Sequence, residues 1–231
     1  MSALPAHIRA VLFDKDGTLV DFDRTWAGTM MAGAREFAGG DDARALELCE
    51  TVGWDSARGT FAPDAFFANN PNAAIAELWC RLLGRRFEPL DATRLDAVFA
   101  RAILASVTPL GDLRGVVARL RARGLPLGVA TNDSRVSSEQ QLMALGVGGD
   151  FPFVSGYDGP CRPKPDPESV VEFARLAGCR PDEVAIVGDS EKDMRLARNA
   201  GALAIAVAPD DGHRAVLAPL ADITIASIDD L

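Results

Sequence analysis

The sequence predicts an α/β protein built on a doubly wound parallel sheet, with a helical insert placed directly after the first strand. Three observations predict it. Short, near-continuous apolar runs recur at residues 8–14, 125–133, 183–190, 202–209 and 222–227, which is how strands buried on both faces read. Amphipathic helical patterns separate the later runs, and the stretch from about 24 to 106 breaks the rhythm with alanine-rich helical segments and no convincing strand.

Each element follows in order. "IRAVLFD" (8–14) is the first strand. The insert reads as helices at "WAGTMMAGAREFA", "NAAIAELWCRLLG" and "LDAVFARAIL", with polar loops at "GWDSARGTFAPD" and "ANNPN". Leu113, Val116, Val117 and Leu120 mark a helix that leads to the strand "LPLGVATND" (125–133). Leu142 and Leu145 mark the next helix, with Ser134 and Asp133 as its cap; Val170, Val171, Phe173, Ala174 and Ala177 mark the one after it. "EVAIVGDS" (183–190), the helix "EKDMRLARNAG", "ALAIAVAP" (202–209) and "DITIAS" (222–227) complete the alternation. The expected division is an α/β core of residues 1–22 and 107–231 and a helical domain of residues 23–106.

Composition narrows the function. The chain has 231 residues, 48% hydrophobic and 25% charged, and a formal net charge of -9. That balance argues against nucleic acid or an anionic membrane as the main partner, while a local basic pocket could still receive an anionic substrate. No apolar run approaches the roughly 18 residues of a membrane span. The N-terminus carries no basic region followed by an apolar stretch and cleavage site, so a cytoplasmic protein is expected. Cys49, Cys80, Cys161 and Cys179 are widely spaced and the histidines are His7 and His213, which suggests reduced structural thiols and neither a zinc cluster nor a disulfide framework.

The chemistry gathers at strand ends. Asp14 and Asp16 follow the first strand, Asp133 the second, and Asp189 the strand "EVAIVG", with Asp193 four residues later. In open α/β sheets the carboxyl ends of the strands form the ligand crevice, so these segments converge. Carboxylates so placed repel one another unless a cation sits among them, and an all-oxygen set suits Mg²⁺. Thr131 and Asn132 bring a hydroxyl and an amide, and Lys164, framed by Pro163 and Pro165, brings an ammonium; together they can grip an anion. A carboxylate nucleophile, an acid/base carboxylate, a hydroxyl, an ammonium and a metal are the parts of phosphoryl transfer through an aspartyl-phosphate.

With these residues in place the chain resembles the haloacid dehalogenase superfamily, specifically its phosphatases with a helical cap after the first motif. Asp14-Lys15-Asp16-Gly17-Thr18 matches the first motif, Thr131 the second, Lys164 the third, and Gly188-Asp189 with Asp193 the fourth. The resemblance implies a Rossmann-like core with an inserted all-helical cap that closes over the site. It implies Asp14 as nucleophile and Asp16 as general acid/base. Mg²⁺ would be held by the Asp14 carboxylate, the Asp16 carbonyl and Asp189, with Asp193 supporting the metal shell. Thr131, Asn132 and Lys164 would bind phosphate, and Thr131 and Lys164 would also serve catalysis.

Motif order, length and insert position look most like phosphoglycolate phosphatase-like members, which implies a small phosphorylated metabolite such as 2-phosphoglycolate and a monomer or homodimer. A phosphosugar mutase could share the architecture. A phospho-accepting signalling receiver shares the residue types, but is much shorter and has no insert. A dehalogenase would not need Asp16 and Asp189. Lys15 departs from the hydrophobic residue common between the two aspartates, and strand alternation points it away from both. Arg24 and Arg58 are candidates for substrate specificity, since arginine can clamp a second anionic group bidentately; Trp26 and Thr60 lie in the same stretches.

Overall fold

The computed structural model describes residues 4–62 and 65–231. The chain forms two compact units, Met1–Asp21 with Pro109–Leu231, and Phe22–Thr108. Strand β1 (Ala10–Phe13) belongs to the first unit. The second unit then runs α1 (Phe22–Phe37), α2 (Asp42–Thr51), β2 (Trp54–Asp55), β3 (Thr60–Phe61), α3 (Phe66–Asn69), α4 (Asn72–Leu82) and α5 (Pro89–Ser106). The first unit resumes with α6 (Leu113–Ala122), β4 (Leu127–Ala130), α7 (Arg135–Ala144), β5 (Phe153–Ser155) and α8 (Glu168–Ala177). It ends with β6 (Val184–Gly188), α9 (Glu191–Ala200), β7 (Leu203–Val207), α10 (Asp211–Leu217) and β8 (Ile223–Ile225).

Six strands form one sheet in the order β5-β4-β1-β6-β7-β8, and every pairing in it is parallel. Its continuous apolar strands follow from burial on both faces. Ala10 and Leu12 share a cluster with Val170 and Phe173 of α8 and Met194 and Leu196 of α9. Val11 and Phe13, pointing the other way, are equally buried. Each of the larger side chains among these contributes about 1.5–3 kcal/mol through apolar burial. The order reverses at β1: the chain leaves it for β4 on one side and returns through β6 on the other, the switch point where ligands bind in open α/β sheets. Phe13 lies in register with Val129 and with Val187, so Asp14, Thr131 and Asp189 leave the sheet at the same edge.

The second unit is helical apart from a hairpin of two-residue strands, β2 and β3, in the stretch expected to be only a loop. Local polar contacts create it. The Asp55 side chain accepts from Ala57 N and Arg58 N, both at 3.0 Å, and Gly59 takes φ of 70° to close the turn. Asp23 Oδ1 then accepts from Phe61 N at 2.8 Å, tying the hairpin to α1. The unit's core is built around fully buried Trp79, with Met30, Leu48, Ile75, Leu95 and Phe99, and the indole N–H donates to Leu48 O at 3.0 Å. β5 was also outside the sequence expectation: it is a three-residue edge strand, partly exposed, too short to show a pattern. Among the described residues no helix is long and apolar enough to cross a membrane.

Trp79→Ala should destabilise the helical unit by about 3–5 kcal/mol through cavity formation and the lost indole hydrogen bond. Urea unfolding followed by circular dichroism checks this; a loss under about 1 kcal/mol would mean that the unit's core does not rest on Trp79.

Candidate active site

Asp14 is the first residue beyond β1, and its N–H still donates to Val187 O at 2.8 Å, so the ladder fixes its backbone. Its Oδ1 accepts from Lys15 N at 2.6 Å and lies 2.7 Å from Lys164 Nζ. The chain then folds back tightly, with Leu19 N and Val20 N both donating to Lys15 O at 2.8 and 2.9 Å. Gly17 makes this possible: its φ is +79°, and a Cβ there would stand 2.1 Å from Asp189 Oδ2. The neighbouring Thr18 is fully buried, and its hydroxyl donates to Asp189 Oδ1 at 3.0 Å.

Lys164 arrives from the other side of the switch point. Its backbone is clasped by the Asn132 amide, with Lys164 N donating to Asn132 Oδ1 at 2.9 Å and Asn132 Nδ2 donating to Lys164 O at 3.2 Å. Its buried ammonium bridges Asp14 Oδ1 at 2.7 Å and Asp193 Oδ1 at 2.6 Å. Asp193 is itself fully buried in the first turn of α9. Its Oδ2 accepts from Ser190 N at 3.1 Å and Ser190 Oγ at 2.5 Å, with Ser190 as the N-cap of α9. Gly188 leaves the space for it, since a Cβ there would stand 2.4 Å from Asp193 Cβ. Thr131 is buried, and its Oγ1 accepts from Asp133 N at 3.0 Å, which leaves the hydroxyl hydrogen for an anion.

Asp14, Asp189 and Asp193 each offer a carboxylate oxygen, and these oxygens lie within 4.8 Å of one another. The electrostatic cost is visible in their proton affinities. Burial, with Asp193 and Asp189 adding to it against Lys164, holds the Asp14 carboxyl well above the usual carboxylate range. Burial, followed by the charge of Asp193, pushes Asp189 up to about 7. Burial would lower the Lys164 ammonium, but Asp14 and Asp193 outweigh it and hold its pKa above the ordinary value. One ammonium faces three carboxylates, all donors are hard oxygens, and such a set fits Mg²⁺. Both Asp193 oxygens are engaged by Lys164 and Ser190, so Asp14 and Asp189 are the carboxylates of this set best placed to hold the ion.

Lys15 overturns its expectation. Its fully buried ammonium lies 2.8 Å from Asp16 Oδ1, 2.7 Å from Asp16 Oδ2, 3.2 Å from Asp133 Oδ2 and 3.0 Å from Gln141 Oε1. Alternation fails here because β1 ends at Phe13 and the loop beyond it turns Asp16 toward the lysine. The Asp16 carboxylate therefore belongs to this second polar cluster. Sequence reasoning missed Thr18 as a partner of Asp189 and missed Gln141 altogether. The signal for Gln141 was available in the spacing: Ser138 and Gln141 share the face of α7 marked by Leu142 and Leu145, and the structure buries both fully. In the helical unit Arg24 is exposed in the first turn of α1, and the Arg58 side chain is 82% exposed, 3.7 Å from Asp55. The Trp26 ring packs 4.9 Å from that of Phe67, within the unit's aromatic core, and Thr60 is exposed at the start of β3.

The family model for haloacid dehalogenase-like hydrolases matches residues 8–201, which include both clusters. The chain belongs to that family. A protein of Chromobacterium violaceum named phosphoglycolate phosphatase is 31% identical to this hydrolase over 225 residues, 97% of this chain and 95% of that protein. A glyceraldehyde 3-phosphate phosphatase of Methanopyrus kandleri is 27% identical over 208 residues, 87% of this chain and 84% of that one. Among solved structures, a HAD family hydrolase of Deinococcus radiodurans with bound phosphate and sodium shares the fold, with a TM-score of 0.64 at 21% identity, covering 98% of this chain and 94% of that one.

The raised pKa of Asp189 sets a pH dependence for the hydrolase without metal. Between its ordinary value of 3.8 and about 7 the folded carboxyl keeps a proton that the unfolded chain has lost, so stability falls as pH rises through that window. The melting temperature of EDTA-treated protein should therefore drop between about pH 4 and pH 8, at about 2–4 °C per kcal/mol lost. The drop should be smaller in Asp189→Asn, and Mg²⁺ should reverse it in the wild type. An equal drop in both proteins would contradict the burial of an ionisable Asp189.

Proposed function

We propose that this hydrolase is a Mg²⁺-dependent phosphomonoesterase that works through an aspartyl-phosphate on Asp14, in the cytoplasm, on a small phosphorylated metabolite. The observation that carries the reading is the buried Asp14 carboxylate at the end of β1, paired with Lys164 and neighboured by Asp189 and Asp193. The Asp14 carboxylate attacks phosphorus, and the bond to the ester oxygen breaks as the new P–O bond forms. Asp16 gives its proton to the departing alcohol. Asp16 then takes a proton from a water molecule that attacks phosphorus, which releases phosphate and restores both carboxyl groups. Lys164 offsets the charge that repels Asp14 from the phosphoryl oxygens, while Thr131 and the remaining amide hydrogen of Asn132 orient those oxygens. Mg²⁺, held by Asp14, the Asp16 carbonyl and Asp189 with Asp193 behind them, would supply further charge neutralisation at the phosphoryl group.

The relatives also bear on the substrate class. The full-length match to a protein named phosphoglycolate phosphatase, and the match to one named glyceraldehyde 3-phosphate phosphatase, support a two- or three-carbon phosphate ester, with 2-phosphoglycolate the first to try. Arg24 and Arg58 are proposed as the residues that favour an acidic substrate.

A panel of phosphorylated acids, sugars and nucleotides, assayed for phosphate release and for isomerised product, tests the reading. Hydrolysis should require Mg²⁺, stop with EDTA, vanish in Asp14→Asn and fall by about 10²–10⁴-fold in Asp16→Asn. Arg24→Ala and Arg58→Ala should weaken the preference for acidic esters without abolishing hydrolysis. An isomer in place of free phosphate would assign a mutase, and undiminished turnover by Asp14→Asn would remove the nucleophile.

A further inference from the structure

We infer that Lys15 is a positioning residue which, with Gln141 and Asp133, fixes the Asp16 carboxylate for taking a proton from the water that hydrolyses the phosphoaspartate. This rests on the assignment of Asp16 as the acid/base. Lysine is almost never fully buried unless paired, and here the side chain has no exposed surface at all. Its three N–H groups meet three acceptor side chains, Asp16, Asp133 and Gln141. Both Asp16 oxygens lie within 2.8 Å of Nζ, while the side chain keeps 21% of its surface open. The ammonium therefore restrains the carboxylate without covering it.

The restraint is anchored well away from the loop that carries Asp16. Gln141 Nε2 donates to Ser137 Oγ at 3.0 Å and toward Asp133 Oδ2 at 3.4 Å, which orients Oε1 toward Lys15. Asp133 is held in turn, since its carbonyl accepts from Tyr157 N at 3.1 Å and its Oδ1 from Ser134 N at 2.7 Å. Asp158 grips the start of α7 through Ser134 Oγ at 2.9 Å and Arg135 N at 2.5 Å. Gly156 belongs to the same contact: a Cβ there would stand 2.3 Å from Arg135 N. The helix start and the loop after β5 thus form a rigid base for Lys15. A role in packing alone would need none of this, because a methionine at position 15 fills similar volume.

The step concerned is the second half of the reaction. Water oxygen attacks phosphorus, the P–O bond to Asp14 breaks, inorganic phosphate leaves and the water proton passes to Asp16. A carboxylate released from its restraint slows this step, and a misplacement near 1 Å can cost about 10²-fold. Attack by Asp14 on an ester whose alcohol leaves without a proton, such as p-nitrophenyl phosphate, does not use Asp16 and is spared.

The test compares wild type, Lys15→Met and Asp16→Asn on p-nitrophenyl phosphate with Mg²⁺, measuring kcat, KM and the fraction of enzyme carrying phosphate after an acid quench, by intact mass. In Lys15→Met, kcat and KM should fall together by about 10²-fold, kcat/KM should stay within a few-fold, and phosphoenzyme should accumulate. A fall in kcat/KM of the soluble variant with no accumulation of phosphoenzyme overturns the inference. Should Lys15→Met prove insoluble, Lys15→Met/Asp133→Asn removes the carboxylate left without its counter-ion and carries the same expectations. Accumulation in Asp16→Asn but not in the lysine variants removes the role of Lys15 alone. Its absence in Asp16→Asn removes the acid/base assignment beneath it.

Discussion

The ammonium of Lys164 between Asp14 and Asp193 is the contact on which the rest of the site depends. A parallel sheet that reverses its order at β1 delivers strand ends from distant parts of the chain to one edge, and here each of them brings negative charge. Buried carboxylates at that spacing are intolerable without compensation. Lys164 supplies part of it, at 2.7 and 2.6 Å from two of the three carboxylates, and the Asn132 amide holds the lysine backbone where it can do so. Burial, with the remaining excess of negative charge, keeps Asp14 and Asp189 inclined to hold protons, and that excess of hard oxygen donors fits a divalent cation.

Two ammonium groups divide the work. Lys164 serves the cluster around Asp14, and Lys15 serves the one around Asp16. The two clusters adjoin in sequence, Lys15 following Asp14 directly, in a tight turn that depends on the positive φ of Gly17. The two aspartates of one motif thus occupy different electrostatic surroundings, Asp14 beside an ammonium and two further carboxylates, Asp16 beside an ammonium that is shared with Asp133 and a buried amide. The separation suits unlike roles for two otherwise identical side chains.

Much of this was legible in the chain. The strands were visible because burial on both faces writes them as unbroken apolar runs, and the convergence of Asp14, Thr131 and Asp189 follows from the rule that strand ends share an edge. Lys164 was identifiable through its proline frame and its place between the strands. What escaped depends on side-chain direction beyond regular structure. Alternation separated Lys15 from Asp16 because the rule ends with β1 at Phe13, and the turn that brings Asp16 to the lysine rests on Gly17 and on Asp189, the latter remote in sequence. Asn132 also clasps the Lys164 backbone with one amide hydrogen and its carbonyl oxygen, a pairing across 32 positions that no local pattern announces. The β2–β3 hairpin and β5 were too short for periodicity to register.

The central claim is that Asp14 becomes covalently phosphorylated. Its most direct measurement is peptide mapping by mass spectrometry of Asp16→Asn enzyme, incubated with Mg²⁺ and a hydrolysed phosphate ester and quenched in acid. The account predicts one added phosphoryl group, on the peptide that contains "LFDKDGTL" and assigned by fragmentation to Asp14. Phosphate found on another residue, or wild-type turnover accompanied by an unmodified peptide in both proteins, would contradict it.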